Sequence, residues 1–241
     1  MKNIILSILT IAFVGNAQAQ LWGNKKVKGN GNMTKITRTT SDYDGIKCAG
    51  SFDFVLVAGT EGNITIEGES NLLEYIVTEV RNDKLVVKVE DNINLQSSNN
   101  KTIKITIPFK DISSVSLAGS GDLWNESTIN ATDFDVSLAG SGDIKLQVEV
   151  KSIKGNVAGS GDLTLKGSTN QLEANVAGSG DFHGFELQAN ETDVSVAGSG
   201  DAKVVSNETL KARVAGSGDI KYRGNPKKED SKVAGSGSIS N

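Results

Sequence analysis

The chain has 241 residues, of which only 5% are aromatic and 27 are glycine, a composition that suits a thin, extended core better than one large globular nucleus. Its formal net charge is −4 at pH 7, so no electrostatic argument points to nucleic acid as a partner. Cys48 is the only cysteine, which excludes an internal disulfide bond.

Residues 1–19 have the pattern of a secretory signal peptide. Lys2 supplies the positive charge, residues 4–14 are apolar apart from two, and residues 17–19 (Ala-Gln-Ala) match the small-x-small cleavage rule. We therefore expect cleavage before Gln20 and export through the general secretory route to the periplasm, the cell surface or the medium. No cysteine stands directly after the apolar segment, so no lipid anchor is expected. No second long apolar segment occurs that would predict a membrane span.

The segment after the signal peptide changes from a polar lead-in to strand-like alternation. Residues 20–40 are rich in Gly, Asn, Lys and Thr and predict a flexible or partly ordered lead-in. From Tyr43 onward, apolar and β-branched residues alternate with polar ones, which is typical of half-buried strands. Residues 91–100 are polar and predict a loop, whereas residues 70–80 would suit a short helix or a strand. We expect residues 41–112 to form irregular coils of a larger repeat.

Residues 113–241 repeat the motif Ala-Gly-Ser-Gly-Asp. The motif occurs seven times at steps of 21, 19, 19, 20, 18 and 19 residues, and the seventh copy ends in Ser238 instead of Asp. Such a period marks a solenoid. Residues 49–53 (Ala-Gly-Ser-Phe-Asp) are a degenerate copy and residues 29–32 a possible remnant, so a single domain is predicted over residues 41–241. The motif aspartates form one row: Asp122, Asp143, Asp162, Asp181, Asp201 and Asp219.

The glycines of the motif share the alternation phase of the apolar residues. Phe134, Val136 and Leu138 precede two glycines on the same phase, and Ile144 follows them. Glycine suits a tight corner because it tolerates positive φ and leaves no side chain in the interior. Neighbouring coils would pair as parallel strands about 4.8 Å apart. The sequence therefore predicts an all-β, right-handed parallel β-helix with coils of about 19 residues and Gly-Ser-Gly turns.

The row of aspartates is the sharpest candidate for chemistry. Unit charges 4 Å apart repel by roughly 1 kcal/mol in water, so the row needs relief. Calcium is one answer, but the calcium-binding β-roll has a much shorter repeat than the one found here. We expect instead that each Asp accepts hydrogen bonds from amides of its own turn and that Lys145, Lys203 and Lys221 shield the row. No metal or cofactor site is assigned, and Ca²⁺ is not expected to stabilise the protein.

The sequence gives little evidence for an active site. A triad needs a histidine next to a nucleophile and oriented by an acid, and His183, which follows Asp181 on the outer phase, is interpreted as a solvated surface residue. Cys48 shares the inward phase of Ile46 and predicts a packed thiol. Six equivalent carboxylates give no reason to choose two for glycoside hydrolysis. No catalytic residue is assigned, although residues 91–100 leave room for a site in the irregular part.

The stretch from Tyr43 to Asp219 resembles a known family. With Asp44-Gly45-Ile46 near its start and iterated Gly-Ser-Gly-Asp turns, it is similar to the head GIN domain family of putative auto-transporter adhesins, exported proteins known mainly from Bacteroidetes. The resemblance implies a double-sheet right-handed β-helix, shaped like pectin lyases but without their catalytic residues, and a role in cell adhesion. The family motif defines turns, so no site residue carries over.

The sequence favours an exported, non-enzymatic β-helix that serves as an adhesin-like binding or structural module at the surface or in the periplasm. Its expected partner is a glycan or a cell-surface protein. A carbohydrate-active enzyme, lyase or hydrolase, on the same scaffold and a Ca-dependent β-roll are the alternatives. No capping helix follows the last motif, so the final coil predicts an open edge and self-association into homo-oligomers.

Overall fold

The computed structural model describes residues 24–98 and 101–241, so the predicted signal peptide, residues 1–19, and its cleavage site lie outside the described residues. The described chain is all-β apart from one 3₁₀ turn, Leu73–Tyr75. Stacked parallel strands with a spacing of about 19 residues form a solenoid of about 7 turns. The predicted parallel β-helix is confirmed.

The strands divide into an N-terminal group and a regular group. The N-terminal group contains β1 Lys25–Lys28, β2 Met33–Thr39, β3 Gly45–Gly50, β4 Asp53–Ala58, β5 Asn63–Glu69, β6 Ile76–Arg81, β7 Lys84–Val89, β8 Ile93–Gln96 and β9 Lys104–Phe109. The regular group contains β10 Ser114–Gly119, β11 Asp122–Asn125, β12 Ile129–Gly140, β13 Asp143–Gly159, β14 Leu163–Gly178, β15 Phe182–Gly198, β16 Ala202–Val205, β17 Thr209–Gly216, β18 Ile220–Arg223, β19 Lys228–Gly235 and β20 Ile239–Ser240.

Each regular coil contributes to two facing sheets. Sheet 1 holds the segments that run up to the first motif glycine, such as residues 152–159, and sheet 2 holds the segments that begin at the motif aspartate, such as residues 143–149. The pairing is interrupted around Lys151, which marks a second corner opposite the motif corner. The sheets meet in the core, because a Cβ on Gly155 of sheet 1 would lie 2.9 Å from the Phe182 ring of sheet 2.

The core follows the predicted alternation. Phe134, Val136 and Leu138 are buried, and the residues between them point outward. The same order holds in each coil because the parallel register sets equivalent residues side by side, such as Leu138 beside Val157. A one-residue slip would turn the apolar set to solvent, so burial itself fixes this register.

The N-terminal group departs from chain order. β3 and β4 form a coil whose corner is the degenerate motif, with Gly50 paired to Gly119 and Asp53 to Asp122. On the other side of this coil lie β7 and β9, which occur later in the chain. Beyond them the pairing becomes antiparallel, β2 with β5, β5 with β9 and β6 with β7. Residues 49–53 are therefore a true corner, and residues 63–109 form an outer layer around the first coil.

The lead-in, expected to be flexible or partly ordered, contains the strands β1 and β2. Two other expectations for this region are wrong. The loop expected at residues 91–100 contains β8, which pairs with β1. Residues 29–32 connect β1 to β2 and belong to no corner of the described coils. In each of these strands a single residue is recorded as packed against the core, namely Val27, Ile36 or Leu95, so alternation hardly marks them. At residues 70–80 both alternatives occur, as the 3₁₀ turn leads directly into β6.

Candidate functional site

The two glycines of each motif are required for different reasons. The first adopts positive φ, between +124° at Gly119 and +137° at Gly216, a region that disfavours side chains. The second is outside that region, but a Cβ on Gly161 would lie 1.9 Å from the carbonyl oxygen of Gly142 in the preceding coil. Both glycines were predicted to be required by the bend. The second is instead required because neighbouring coils approach each other closely at this point.

The motif aspartates accept hydrogen bonds from the next coil. The backbone N–H of Asp162 donates to Oδ1 of Asp143 at 3.1 Å, and that of Asp181 donates to Oδ1 of Asp162 at 3.1 Å. The same bond recurs along the row down to the N–H of Ser238, which donates to Asp219 at 2.7 Å. The expectation of a bond within each aspartate's own turn is therefore corrected, because the bond joins adjacent coils.

These carboxylates complete the hydrogen bonding of the corner. The N–H groups of Ser160 and Gly161 both donate to the carbonyl of Gly140, at 2.8 and 3.1 Å. The next N–H, that of Asp162, donates to a side-chain oxygen, at a position where a regular β-sheet would provide a backbone carbonyl. Since buried or crowded backbone groups need partners, the aspartate supplies an acceptor that the bend removes. The row thus has a structural explanation at every copy.

Lysine shielding of the row is not what the structure shows. Across the described ranges, no lysine amine lies within 4.0 Å of a carboxylate in this row, although Lys145, Lys203 and Lys221 share its outward phase. Among the described residues, the imidazole of His183 does reach the row, with its Nε2 3.5 Å from Oδ2 of Asp162. Backbone N–H groups, rather than lysines, therefore offset the carboxylate charge directly.

His183 belongs to a cluster rather than standing alone in solvent. One possible ligand atom from each of Asp162, Asp181 and His183 lies within 4.8 Å of the other two. All three residues are half-buried. Immediately after His183, β15 contains a bulge, since Thr164 pairs with His183 but Lys166 pairs with Glu186. His183, interpreted from the sequence as a solvated surface residue, is thus a partly exposed residue that lies beside two carboxylates.

The outer face of sheet 1 carries rows of polar side chains. Asn175 donates to Oδ1 of Asn156 at 3.2 Å and accepts from the Ser195 hydroxyl at 2.6 Å, so amides and hydroxyls link successive coils. Beside them, Lys154 lies 2.6 Å from Glu173, and this hydrogen bond lowers the pKa of the Glu173 carboxyl. A shallow groove of about 330 Å³ runs along these rows. Its polar lining includes Lys154, Gln171, Glu173, Glu191, Asp193 and Lys211.

Two buried groups in the N-terminal part are structural. Burial raises the pKa of the Cys48 thiol, which agrees with the predicted packed cysteine. Glu69 is only 1% exposed and accepts hydrogen bonds from the Gly31 N–H at 2.6 Å and from the Ser98 N–H and hydroxyl at 2.8 and 2.6 Å. The bonds from Ser98 are the main cause of its lowered pKa. Glu69 thereby links the segment at Gly31 to the segment at Ser98. Its role could not be predicted from the sequence, because no charge pattern distinguishes it from surface glutamates.

These features define a class of protein, a parallel β-solenoid in which an Ala-Gly-Ser-Gly-Asp corner repeats once per coil. The model of the family described as "Putative auto-transporter adhesin, head GIN domain" matches residues 42–226, and the chain belongs to this family. The resemblance found in the sequence is thereby confirmed. No curated protein matches the chain significantly. Within the described ranges, no helix has the length and apolar character needed to cross a membrane.

Solved structures share the fold over nearly their full length. A putative adhesin from Bacteroides fragilis is 22% identical, with 89% of this chain and 99% of that chain covered at a TM-score of 0.81. A putative lipid binding protein from Parabacteroides distasonis is 28% identical, with 90% and 99% covered at a TM-score of 0.72. A putative adhesin from Parabacteroides merdae is 22% identical, with 90% and 98% covered at a TM-score of 0.73. The family supports an adhesin-like role, and these structures support the fold.

Proposed function

We propose that the protein is exported and acts, without enzymatic activity, as an adhesin-like module that binds surface glycans through the outer face of sheet 1. The observation that carries this proposal is the set of polar rows along that face. Lys154, Glu173, Asp193 and Lys211 form a row of both charge signs beside the amides of Asn156 and Asn175. Carboxylates, amides and ammonium groups together provide the donors and acceptors that a hydroxyl-rich polymer needs.

The spacing of the rows favours an extended ligand. Equivalent positions recur about every 4.8 Å along the solenoid axis, and on this face they carry polar side chains in successive coils. Successive units of a polymer can therefore contact successive coils, and weak contacts add. An enzyme would instead concentrate distinct groups in one cleft, as catalysis needs a nucleophile, a base and a charge-stabilising group around one reacting atom.

A glycan array probed with the protein purified after export tests the proposal. Binding to a defined glycan class is expected, and the double variant Glu173→Ala/Lys211→Ala should weaken it at least about tenfold, which corresponds to about 1.4 kcal/mol. The matched control is Lys145→Ala/Lys221→Ala on the face of sheet 2, which should bind like the unchanged protein. Equal binding by all three proteins would refute the assignment of this face.

Two other outcomes identify other functions. Release of reducing ends or unsaturated products from the bound glycan would establish the carbohydrate-active alternative and refute the non-enzymatic role. Because one relative of known structure is described as a putative lipid binding protein, the same three proteins are also tested on phospholipid vesicles. Vesicle binding without glycan binding, or capture of a surface protein alone, would replace the glycan as ligand.

Export rests on the predicted signal peptide. We propose that residues 1–19 are removed and that the folded domain begins within the polar segment that follows. Expression in a bacterial host with fractionation, followed by N-terminal sequencing of the exported form, should give Gln20 as the first residue. Retention of the leader in the membrane fraction, or a mature protein found only in the cytoplasm, would contradict it.

We also propose that the protein self-associates through β19. Among the described strands, β19 pairs only with β17, and all its residues are exposed, Val233 by 45%. An open strand edge of this kind favours pairing with a second chain. Light scattering at tens of micromolar protein should give a mass above that of the monomer. A Lys at Val233 (Val233→Lys) should lower that mass, and a strictly monomeric unchanged protein would refute the proposal.

A further inference from the structure

One position of the sheet 2 face differs from its equivalents in neighbouring coils. The row beside the motif aspartates runs through Lys145, Thr164, His183, Lys203 and Lys221 in parallel register. His183 is the only histidine of the chain. The bulge that follows it occurs in this strand, and a bulge bends a strand and re-aims its side chains. The regular repeat is thus modified at the point where an imidazole stands beside two carboxylates.

The carboxylates of this cluster are held in place by the corner. Oδ1 of Asp162 accepts the N–H of Asp181 at 3.1 Å, and its other oxygen, Oδ2, lies 3.5 Å from Nε2 of His183. Oδ1 of Asp181 in turn accepts the N–H of Asp201 at 2.7 Å. Each carboxylate therefore uses one oxygen for the backbone and has a second oxygen for another partner. Hydrogen bonds to the non-ligating atoms orient ligands in metal sites in the same way.

The distances fit a small divalent cation. Ligand atoms about 2.0–2.2 Å from a tetrahedral Zn²⁺ are about 3.3–3.6 Å from each other, and the separation of 3.5 Å between Asp162 and His183 already meets this value. Asp181 offers a ligand atom within 4.8 Å of those of Asp162 and His183. A side-chain rotation that moves this atom by about 1 Å would bring it to the separation that a tetrahedral ion needs. Two carboxylates and a neutral imidazole would balance the charge of the ion, and further coordination positions would face solvent.

We propose that Asp162, Asp181 and His183 form a binding site for one Zn²⁺-type transition-metal ion on the outer face of sheet 2. Imidazole with carboxylates suits zinc and its neighbours in the first transition row, whereas Ca²⁺ and Mg²⁺ prefer oxygen ligands alone. The site needs the histidine and two successive carboxylates, so it is not a property of the aspartate row as a whole. The expectation that the chain has no metal site is revised at this one pair of coils.

The first test is a zinc titration of the untagged protein, purified after export and freed of metal. Calorimetry should show one equivalent of bound Zn²⁺, and Co²⁺ should give the visible absorption of a four- or five-coordinate ion. His183→Lys inserts the residue that the following coil carries in this row as Lys203, so the fold is retained. Its affinity for Zn²⁺ should fall at least about tenfold, the loss typical for damaged metal sites.

A second variant separates the carboxylate from its structural task. Asp162→Asn keeps an oxygen that can accept the N–H of Asp181 but removes the charged ligand, so the melting temperature should change little while zinc affinity falls at least about tenfold. Equal zinc affinity in the unchanged protein and in His183→Lys would overturn the site. Loss in His183→Lys but not in Asp162→Asn would also overturn it, because a lone surface histidine would then account for the binding.

The repeat allows the site to be copied. Asp201 and Asp219 are related in the same way as the proposed pair, with the N–H of Asp219 donating to Oδ1 of Asp201 at 2.8 Å. Lys221→His places an imidazole beside them without touching the proposed ligands. Zinc stoichiometry should rise from one to two, and titration with Ca²⁺ should give no specific heat in any variant. A second bound ion would show that two successive motif aspartates and an imidazole are sufficient without the bulge that follows His183.

Discussion

Replacement of Gly161 by alanine tests the explanation given for the second motif glycine. A Cβ at this position would lie 1.9 Å from the carbonyl oxygen of Gly142, whereas real Cβ contacts are essentially never closer than 3.0 Å. The two coils must therefore separate locally by about 1 Å. Three bonds cross this corner, from the N–H groups of Ser160 and Gly161 to Gly140 and from that of Asp162, at 2.8, 3.1 and 3.1 Å. A separation of this size would stretch all three beyond hydrogen-bonding distance.

The expected cost follows from these losses. Each hydrogen bond contributes about 0.5–1.5 kcal/mol and overpacking costs about 1–3 kcal/mol, partly offset by the reduced freedom of the unfolded chain, so Gly161→Ala should destabilise by about 3–6 kcal/mol. For a domain of this size the melting temperature should fall by roughly 6–20 °C, as followed by circular dichroism and calorimetry. Ser160→Ala is the matched control, since Ser160 is exposed and its backbone bond remains. A fall of less than about 2 °C in Gly161→Ala would refute the close-approach argument.

Three further changes have defined outcomes. Asp143→Ala should cost about 1 kcal/mol and speed exchange of the Asp162 amide hydrogen, while Asp143→Asn should do neither; equal exchange in both would contradict the acceptor role. Because the pKa of Glu173 is lowered in the folded state, its pairing with Lys154 stabilises the protein above the unfolded pKa of about 4.3, and this small contribution is lost as pH falls through the folded pKa. Glu173→Gln should flatten that part of a stability–pH curve. Cys48 should react with a maleimide only after unfolding, so labelling of the native protein would contradict its burial.

The regular coils were predictable because each copy repeats the same information. The phase of Phe134, Val136 and Leu138 recurs in every coil, so the inward set, the corners and the parallel register follow from alternation and period together. The degenerate copy at residues 49–53 was recognisable for the same reason. Only its second glycine is changed, to Phe52, whose buried ring lies beside Gly50 of the same corner.

The order of the N-terminal layers was not predictable. β7 and β9 alternate like any other strands, and nothing in Leu85 or Ile105 indicates which strand edge they occupy. They lie outside β3 and β4, although they follow them in the chain. That arrangement depends on the antiparallel partners β5 and β6, hence on contacts between distant segments. Glu69 was missed for a similar reason, because its partners at Gly31 and Ser98 are about 30 residues or more away in sequence.

The aspartate row shows how repetition affects the search for a site in a solenoid. A residue present in every coil is explained when one bond that every coil needs is found, and the bond from the N–H of Asp162 to Asp143 is such a bond. What remains is the position where a row changes its residue type. His183 is such a position, since it lies between Thr164 and Lys203 in its row, adjoins a bulge and lies beside a carboxylate already fixed by the backbone. Positions where a row of equivalent residues changes its residue type, rather than the uniform rows, therefore identify where this fold can acquire a specific binding site.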